Sequence, residues 1–359
     1  MSRALRFEKS RWREWVEALQ KAATVIAPVR LHGEDVAFER ISSPDEVALD
    51  FGNTQDSPKR FLFPQVEPLL RYRRNGGCEV EPIYDEERRV LFAIRCCDVS
   101  AVRFFDLTLG VEDLPDTYYS VRRANTGLIA LACTEPCDTS FCVCAGTGPF
   151  LPSGGGYDVQ LTDLGDEHYL AEVDTDKGEA MVNAAAHLFT PAAEQDLARR
   201  RELAEKAETL LPQEPRLYFA AATRKVSLDT VDEDLWQRMA QWCIGCGGCT
   251  SICPTCYCFN VTDTTVRSTS AQLNGEGVRS RCWDSCQYPG LTREASGHNP
   301  RPERLHRLKR RVFHKMSYQY VARDGMQGCV GCGRCTRVCA GIRLGIPEVG
   351  EAVRRAEWK

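Results

Sequence analysis

Cys243-Ile-Gly-Cys246-Gly-Gly-Cys249-Thr-Ser-Ile-Cys253-Pro254 returns 86 residues later as Cys329-Val-Gly-Cys332-Gly-Arg-Cys335-Thr-Arg-Val-Cys339. Both stretches read C-x2-C-x2-C-x3-C. That spacing lets one loop wrap three thiolates around three irons of a 4Fe-4S cube while its fourth cysteine reaches a neighbouring cube. Three thiolates must converge on one face, so the loop curls tightly and turns its amides inward. Gly245, Gly247, Gly248, Gly331 and Gly333 permit such a backbone. Inward amides then donate to sulfur and help set the potential. The chain reads as an electron conductor.

Crossed ligation, as in two-cluster ferredoxins, predicts cluster A at Cys243, Cys246, Cys249 and Cys339 and cluster B at Cys329, Cys332, Cys335 and Cys253. Ala340 follows the second motif where proline follows the first, a minor departure because proline is not a ligand. The rivals are zinc sites and disulfides. Zinc ribbons pair two C-x2-C knuckles and do not ask for the third and fourth cysteines.

A length of 359 residues suggests two domains, each with ample core. The boundary is expected between Pro212 and Ser227, giving an N-terminal α/β domain over about 1–220 and a dicluster ferredoxin-like domain over about 221–359. The fold class is α+β. A net charge of -4 with both signs interspersed argues against nucleic acid and anionic membrane as partners. No apolar run approaches a membrane span, and the N-terminus lacks the apolar core of a secretory signal, so a cytoplasmic protein is expected. Nineteen cysteines at short clustered spacings suit metal better than a disulfide framework and point to a reducing, anaerobic cell.

Residues 9 to 23 predict an amphipathic helix capped by Ser10, with Trp12, Val16 and Leu19 recurring at i, i+4 and i+7 and the two tryptophans Trp12 and Trp15 as core or interface anchors. Thr24 to Val29, Val90 to Ile94 and Leu128 to Ala132 are apolar runs short enough for buried strands. Weaker strands are expected at Val159 to Leu161 and Tyr169 to Val173, and Asn53 to Pro64 reads as a lid or docking edge. A charged helix from Pro191 to Leu211 should bury Leu197, Leu203 and Leu210 and end at Pro212, and another from Asp229 to Trp242 should lead into Cys243.

Two strands end in cysteine. Val90 to Ile94 runs into Arg95-Cys96-Cys97-Asp98, and Leu128 to Ala132 runs into Cys133, Cys137, Cys142 and Cys144. Ligands of α/β sheets collect beyond the carboxyl ends of strands, so the two tips predict a third cluster in the N-terminal domain. Cys96 and Cys78 read more simply as small buried apolar residues. The glycines between Gly146 and Gly156 lack a G-x-G-x-x-G that opens a helix, and they read as a loop folded over the cluster rather than a nucleotide site.

The spacing between the motifs is longer than a small ferredoxin needs and implies an insertion at about 259–325. It carries Arg281-Cys282-Trp283-Asp284-Ser285-Cys286 and a basic helix from Arg301 to Met316. In that helix Leu305, Leu308, Val312 and Met316 form an apolar stripe, while Arg304, Arg307, Lys309, Arg310, Arg311 and Lys315 read as a solvated face or a partner surface. Cys256, Cys258, Cys282 and Cys286 are candidate ligands of a further centre, with His298 or His314 in reserve; core packing is the alternative. Tyr257, Phe259 and Trp283 are expected to keep water from cluster B.

The chain resembles the iron-sulfur beta subunit of cytoplasmic NAD(P)-linked nickel-iron hydrogenases of the sulfhydrogenase type, and is similar to the corresponding electron-transfer component of anaerobic sulfite reductase. The strings that carry the resemblance are Ser57-Pro58-Lys59, Arg95-Cys96-Cys97-Asp98, Cys133-Thr134-Glu135-Pro136, Phe141-Cys142, Gly146-Thr147-Gly148-Pro149, Cys253-Pro254-Thr255-Cys256-Tyr257-Cys258, Trp283-Asp284-Ser285-Cys286, Ala295-Ser296-Gly297-His298 and Cys329 to Cys335. The resemblance implies three 4Fe-4S clusters, the third on Cys97, Cys133 and Cys142. Where the family carries a Cys-Phe-Cys triplet this chain has Ser140-Phe141-Cys142, so the fourth ligand is Cys144, with Cys137 as the alternative and the Ser140 hydroxyl a distant one.

The resemblance further implies a relay subunit between a gamma-type subunit that binds FAD and NAD(P) and the small subunit beside the nickel-iron large subunit. The corresponding conductor feeding a sirohaem sulfite reductase is the alternative partner set. A different class of function is a sulfur or polysulfide reductase using the third cluster or the thiols around Cys256 and Cys286. No flavin fingerprint, acid-base pair or nickel-ligand pattern is present in the sequence, and no catalytic centre is predicted.

Overall fold

A computed structural model describes residues 3–74, 77–111, 113–211, 214–268, 275–341 and 344–356. Its strands in chain order are β1 (Arg3–Glu8), β2 (Thr24–Arg30), β3 (Val36–Arg40), β4 (Val66–Arg74), β5 (Cys78–Pro82), β6 (Arg89–Arg95), β7 (Thr126–Leu131), β8 (Val159–Asp163), β9 (His168–Val173), β10 (Thr190–Pro191), β11 (Phe259–Ser268) and β12 (Gly275–Trp283). The helices are α1 (Trp12–Gln20), α2 (Cys96–Leu109), α3 (Thr117–Ala124), α4 (Cys142–Ala145), α5 (Asp176–Asn183), α6 (Glu194–Leu210), α7 (Glu214–Ser227), α8 (Glu233–Trp242), α9 (Gly248–Ser251), α10 (Arg304–Met316), α11 (Tyr318–Asp324), α12 (Arg334–Val338) and α13 (Ile346–Arg355).

Eight strands form a mixed sheet in the order β10-β1-β9-β8-β7-β6-β2-β3. Its centre is parallel, β2 on β6, β6 on β7 and β7 on β8, with antiparallel strands at both sides. Every residue of β6 and β7 is buried, as expected of strands covered on both faces. Parallel alignment brings the ends of β6 and β7 to one edge, which is where Cys96, Cys97 and Cys133 follow. Ala93 takes a positive φ of 58° where the β6–β7 register slips, a bulge that re-aims the strand just before those cysteines.

The first helix starts differently from expectation. Residues 9–11 make a 3-10 turn, and Arg11 rather than Ser10 precedes α1, without a side-chain cap. The anchors do hold: Trp15 is fully buried and its indole Nε1 donates to Met181 O at 2.8 Å. In α6 Leu203 is buried but Leu210 is 56% exposed, so the apolar face ends one turn early. Pro212 lies outside the described residues. The stretch chosen as the boundary contains α7, whose Phe219, Ala222 and Val226 recur at helical spacing and join one core with α8, α10 and α13. The helix before Cys243 begins at Glu233, because Asp229 adopts a positive φ of 52° and breaks the turn.

The second sheet, in the order β11-β12-β4-β5, is antiparallel throughout. Two of its strands come from the expected insertion and two from the N-terminal half, with Arg281 opposite Glu67 and Cys282 opposite Val66. Glu67 is 2% exposed and takes an ion pair from Arg122 at 2.6 Å and another from Arg281, itself buried. Cys78, expected to be buried, is exposed on β5.

Candidate iron-sulfur centres

Gly247 and Gly333 have φ of 74° and 73° and precede the one-turn helices α9 and α12, which carry the third cysteine of each motif. The two turns pack against each other, and a Cβ on Gly248 would lie 3.5 Å from Val338 and 3.6 Å from Cys246 Sγ. Cys253, the last cysteine of the first motif, lies near Cys329 and Cys332 of the second. Burial pushes the thiols of Cys249 and Cys332 up to about 11 and about 12. Such thiols stay protonated until a cation replaces the proton, so loading with iron is coupled to proton release.

A separate cavity at the ends of β6 and β7 is lined by Cys96, Cys97, Cys133, Cys137 and Cys142, with Arg95, Ser140, Gly148 and Pro149 completing it. Cys97 sits in the first turn of α2, where the helix dipole favours negative charge. Desolvation raises the thiols of Cys96, Cys97, Cys133 and Cys142. Cys96 is more than filler: it faces the cavity and its Sγ lies 3.5 Å from Gln160 Oε1. Cys144, expected as the fourth ligand, is not in this lining and packs instead on the core that includes Phe219 and Trp236. The difference is helical: Cys142 and Cys144 are two residues apart in α4 and point to different sides.

The second motif is locked onto this cavity. The Phe141 amide donates to Gly331 O at 2.8 Å, Thr147 Oγ1 to Val330 O at 2.7 Å, and Asn53 Nδ2 to Cys332 O at 2.9 Å. A Cβ at Gly331 would stand 2.5 Å from Cys142 Cα, and one at Gly333 2.2 Å from Thr139 O. Arg334, wholly buried, makes a two-pronged ion pair with Asp98 at 2.7 and 2.8 Å and donates to Thr54 O and Oγ1. Asn53 to Pro64 is therefore a strap between the thiol groups rather than an outer lid. Lys59 continues it, donating from Nζ to the carbonyls of Ser251, Cys253 and Cys256 and lying 3.7 Å over the Trp283 ring; burial lowers its pKa to about 8.

Of the four cysteines considered for a further centre, Cys256, Cys258 and Cys286 gather next to Cys253 and Cys282 does not. The Cys253 and Cys256 thiols are neighbours, as are those of Cys258 and Cys286, and the Cys258 thiol beside it holds Cys286 below the usual thiol range. Cys282 sits on β12 beside Thr262. His298 is exposed and pairs with Glu294, and His314 stacks edge-on against Tyr320. Among the described residues no three His, Cys, Asp or Glu side chains converge as tightly as a single ion requires, whereas a cube spreads its thiolates over its corners.

The basic helix also departs from expectation. Its stripe of Leu305, Leu308, Val312 and Met316 is buried, but so are Arg307, Arg311 and Lys315. Arg307 Nε donates to Gln287 O at 3.0 Å, and Lys315 Nζ donates to Thr255 Oγ1 at 2.8 Å and Gly328 O at 3.0 Å. Counting charges along a helix does not reveal which of them turn toward thiols. Tyr257 and Trp283 pack on the N-terminal half, against Phe104, Phe105 and Phe63, rather than around cluster B, and Phe259 is 40% exposed.

Paired C-x2-C-x2-C-x3-C loops on facing helical turns, fed by buried cations, define an iron-sulfur protein of the two-cluster kind, and the profile of a 4Fe-4S dicluster domain matches residues 242–342. Beyond that region, the chain is 32% identical over 330 residues to sulfhydrogenase 2 subunit beta of Pyrococcus furiosus, covering 91% of each protein. The chain belongs to this family of hydrogenase beta subunits.

Proposed function

We propose that the chain is the electron-relay subunit of a cytoplasmic nickel-iron hydrogenase, carrying three 4Fe-4S clusters that link an FAD/NAD(P)-binding subunit to the hydrogenase small subunit. When bound, the clusters supply one-electron carriers; the polypeptide supplies spacing, burial and hydrogen bonds. Clusters A and B take the ligands that the spacing predicts. For the third we assign Cys97, Cys133, Cys142 and Cys137, because Cys137 lines the cavity and Cys144 does not. On this reading residues before about 220 supply the ligands of the third cluster and residues after it those of clusters A and B.

The observation that carries the reading is the seam between the third cavity and the second motif, where Cys97, Cys142, Val330 and Cys332 share one apolar cluster. The thiol groups thus run in one continuous series, from the third cavity through cluster B to cluster A. At the far end Cys246 is exposed, flanked by exposed Trp242 and Ile244, a port for exchange with a partner. Iron and acid-labile sulfide counting on the anaerobically purified chain tests the proposal: about twelve irons are expected, about eight after Cys137→Ser, and about twelve after Cys144→Ser. Eight irons in the unaltered chain would refute the third cluster, and loss of four irons in Cys144→Ser would refute its ligand assignment.

A further inference from the structure

Among the described residues, the buried cations beside the thiol groups include Lys59, Arg95, Arg311, Lys315 and Arg334. Lys59, Arg95, Lys315 and Arg334 each donate to a carbonyl, a hydroxyl or a carboxylate. Arg311 is the exception. Its side chain is 2% exposed, and its Nε and Nη1 have no hydrogen-bond partner. A buried guanidinium left so is strongly unfavourable unless an anion offsets it. The groups that act on it most strongly are the thiols of Cys249, Cys335, Cys256 and Cys253, and Cys286 is near it as well. Cys249 belongs to the first motif and Cys335 to the second, so the guanidinium stands at the junction of the two ferredoxin-type centres.

We propose that Arg311 donates its Nε–H and Nη1–H to sulfur at the junction of clusters A and B, as a positioning residue that holds both potentials up. This rests on the reading that the two motifs hold cubes. A fixed cation there stabilises the more negative, reduced state of each and screens one cube from the charge of the other. The planar fork suits two acceptors at once, which a lysine ammonium does not. None of the thiols facing Arg311 belongs to the third set, so the third cluster is unaffected.

Potentiometric titration followed by electron paramagnetic resonance on the full anaerobic chain tests this. Arg311→Gln lowers the midpoints of the two ferredoxin-type clusters and leaves the third unmoved, and Arg311→Lys restores part of the shift. Wild-type protein lacking the two ferredoxin-type signals would overturn the cluster reading itself. Signals present in full, with midpoints unmoved in Arg311→Gln, would overturn only the role of Arg311. Should Arg311→Gln fail to load iron, wild-type chain labelled with 15N-arginine carries the test. Arg334 also carries label beside Cys332, so the readout is a difference: the reduced ferredoxin-type clusters show a 15N coupling that loses a component in Arg311→Lys, and identical couplings in the two proteins overturn the proposal.

Discussion

Replacing Asp98 by Asn leaves Arg334 charged, buried and deprived of the carboxylate it faces. The pair is 0% and 1% exposed and two-pronged, and it joins the second motif to the first turn of α2 beside Cys97. Breaking such a buried pair from one side costs about 3–5 kcal/mol. Because Thr54 still accepts from Arg334, the lower end of that range is expected. The loss falls on the seam, so the amide of Phe141, bonded to Gly331 O, should report it. At about 1.4 kcal/mol per decade, its hydrogen exchange should rise by about two decades. Glu351→Gln, which removes only the partly exposed pairs with Arg354 and Arg355, should change exchange in α13 by less than about fivefold. The assay is hydrogen exchange on anaerobic holoprotein, read by mass spectrometry over residues 137–149 and 329–338. A change below about fivefold at the seam in Asp98→Asn would refute the reasoning. Asp98→Leu combined with Arg334→Met should recover much of the loss, since it leaves no orphaned charge.

Two further expectations concern the same neighbourhood. Gly331→Ala forces a Cβ into the Cys142 backbone at a φ of 63°, and it strains both the second motif and the cavity beside it, so the chain should hold about eight irons or fewer; twelve irons would show that the loops part without harm. His314 is held at a pKa of about 3 by burial and by the positive charge of Arg310 and Lys315. Below pH 6.5 the unfolded chain therefore binds a proton that the folded chain refuses, and this contribution is full above about 6.5 and lost as pH falls toward 3. Denaturation midpoints at pH 7 and pH 5 should differ more in the wild type than in His314→Gln; equal differences would remove His314 from the acid sensitivity.

The 4Fe-4S dicluster region was legible because the repeated C-x2-C-x2-C-x3-C spacing marks it, and the parallel strands because short apolar runs between turns allow little else. The third cavity was legible in part. Two strand tips that both end in cysteine imply a shared site, but the choice between Cys137 and Cys144 depends on which side of a one-turn helix faces inward. The burial of Arg307, Arg311 and Lys315 was not legible, because a charge on an amphipathic helix is ordinarily solvated, and only the location of distant carbonyls and thiols reverses that preference. Helix α7 was readable from the period of Phe219, Ala222 and Val226, which a search for a domain boundary passes over. The role of Lys59 was hidden for another reason, since its acceptors are backbone carbonyls almost two hundred residues away.

The four-stranded sheet bears on how the protein is made. As the chain leaves the ribosome, the hairpin of β4 and β5 carries a bare hydrogen-bonding edge, and β12 is synthesised some two hundred residues afterwards. Glu67 likewise waits for Arg281, and Gly331 reaches the Cys142 loop only when translation is nearly complete. Contacts of such sequence separation form slowly and leave edges open to wrong partners meanwhile. In a nascent chain the cavity lined by Cys97, Cys133 and Cys142 therefore stays open on the side that Val330 and Gly331 later cover.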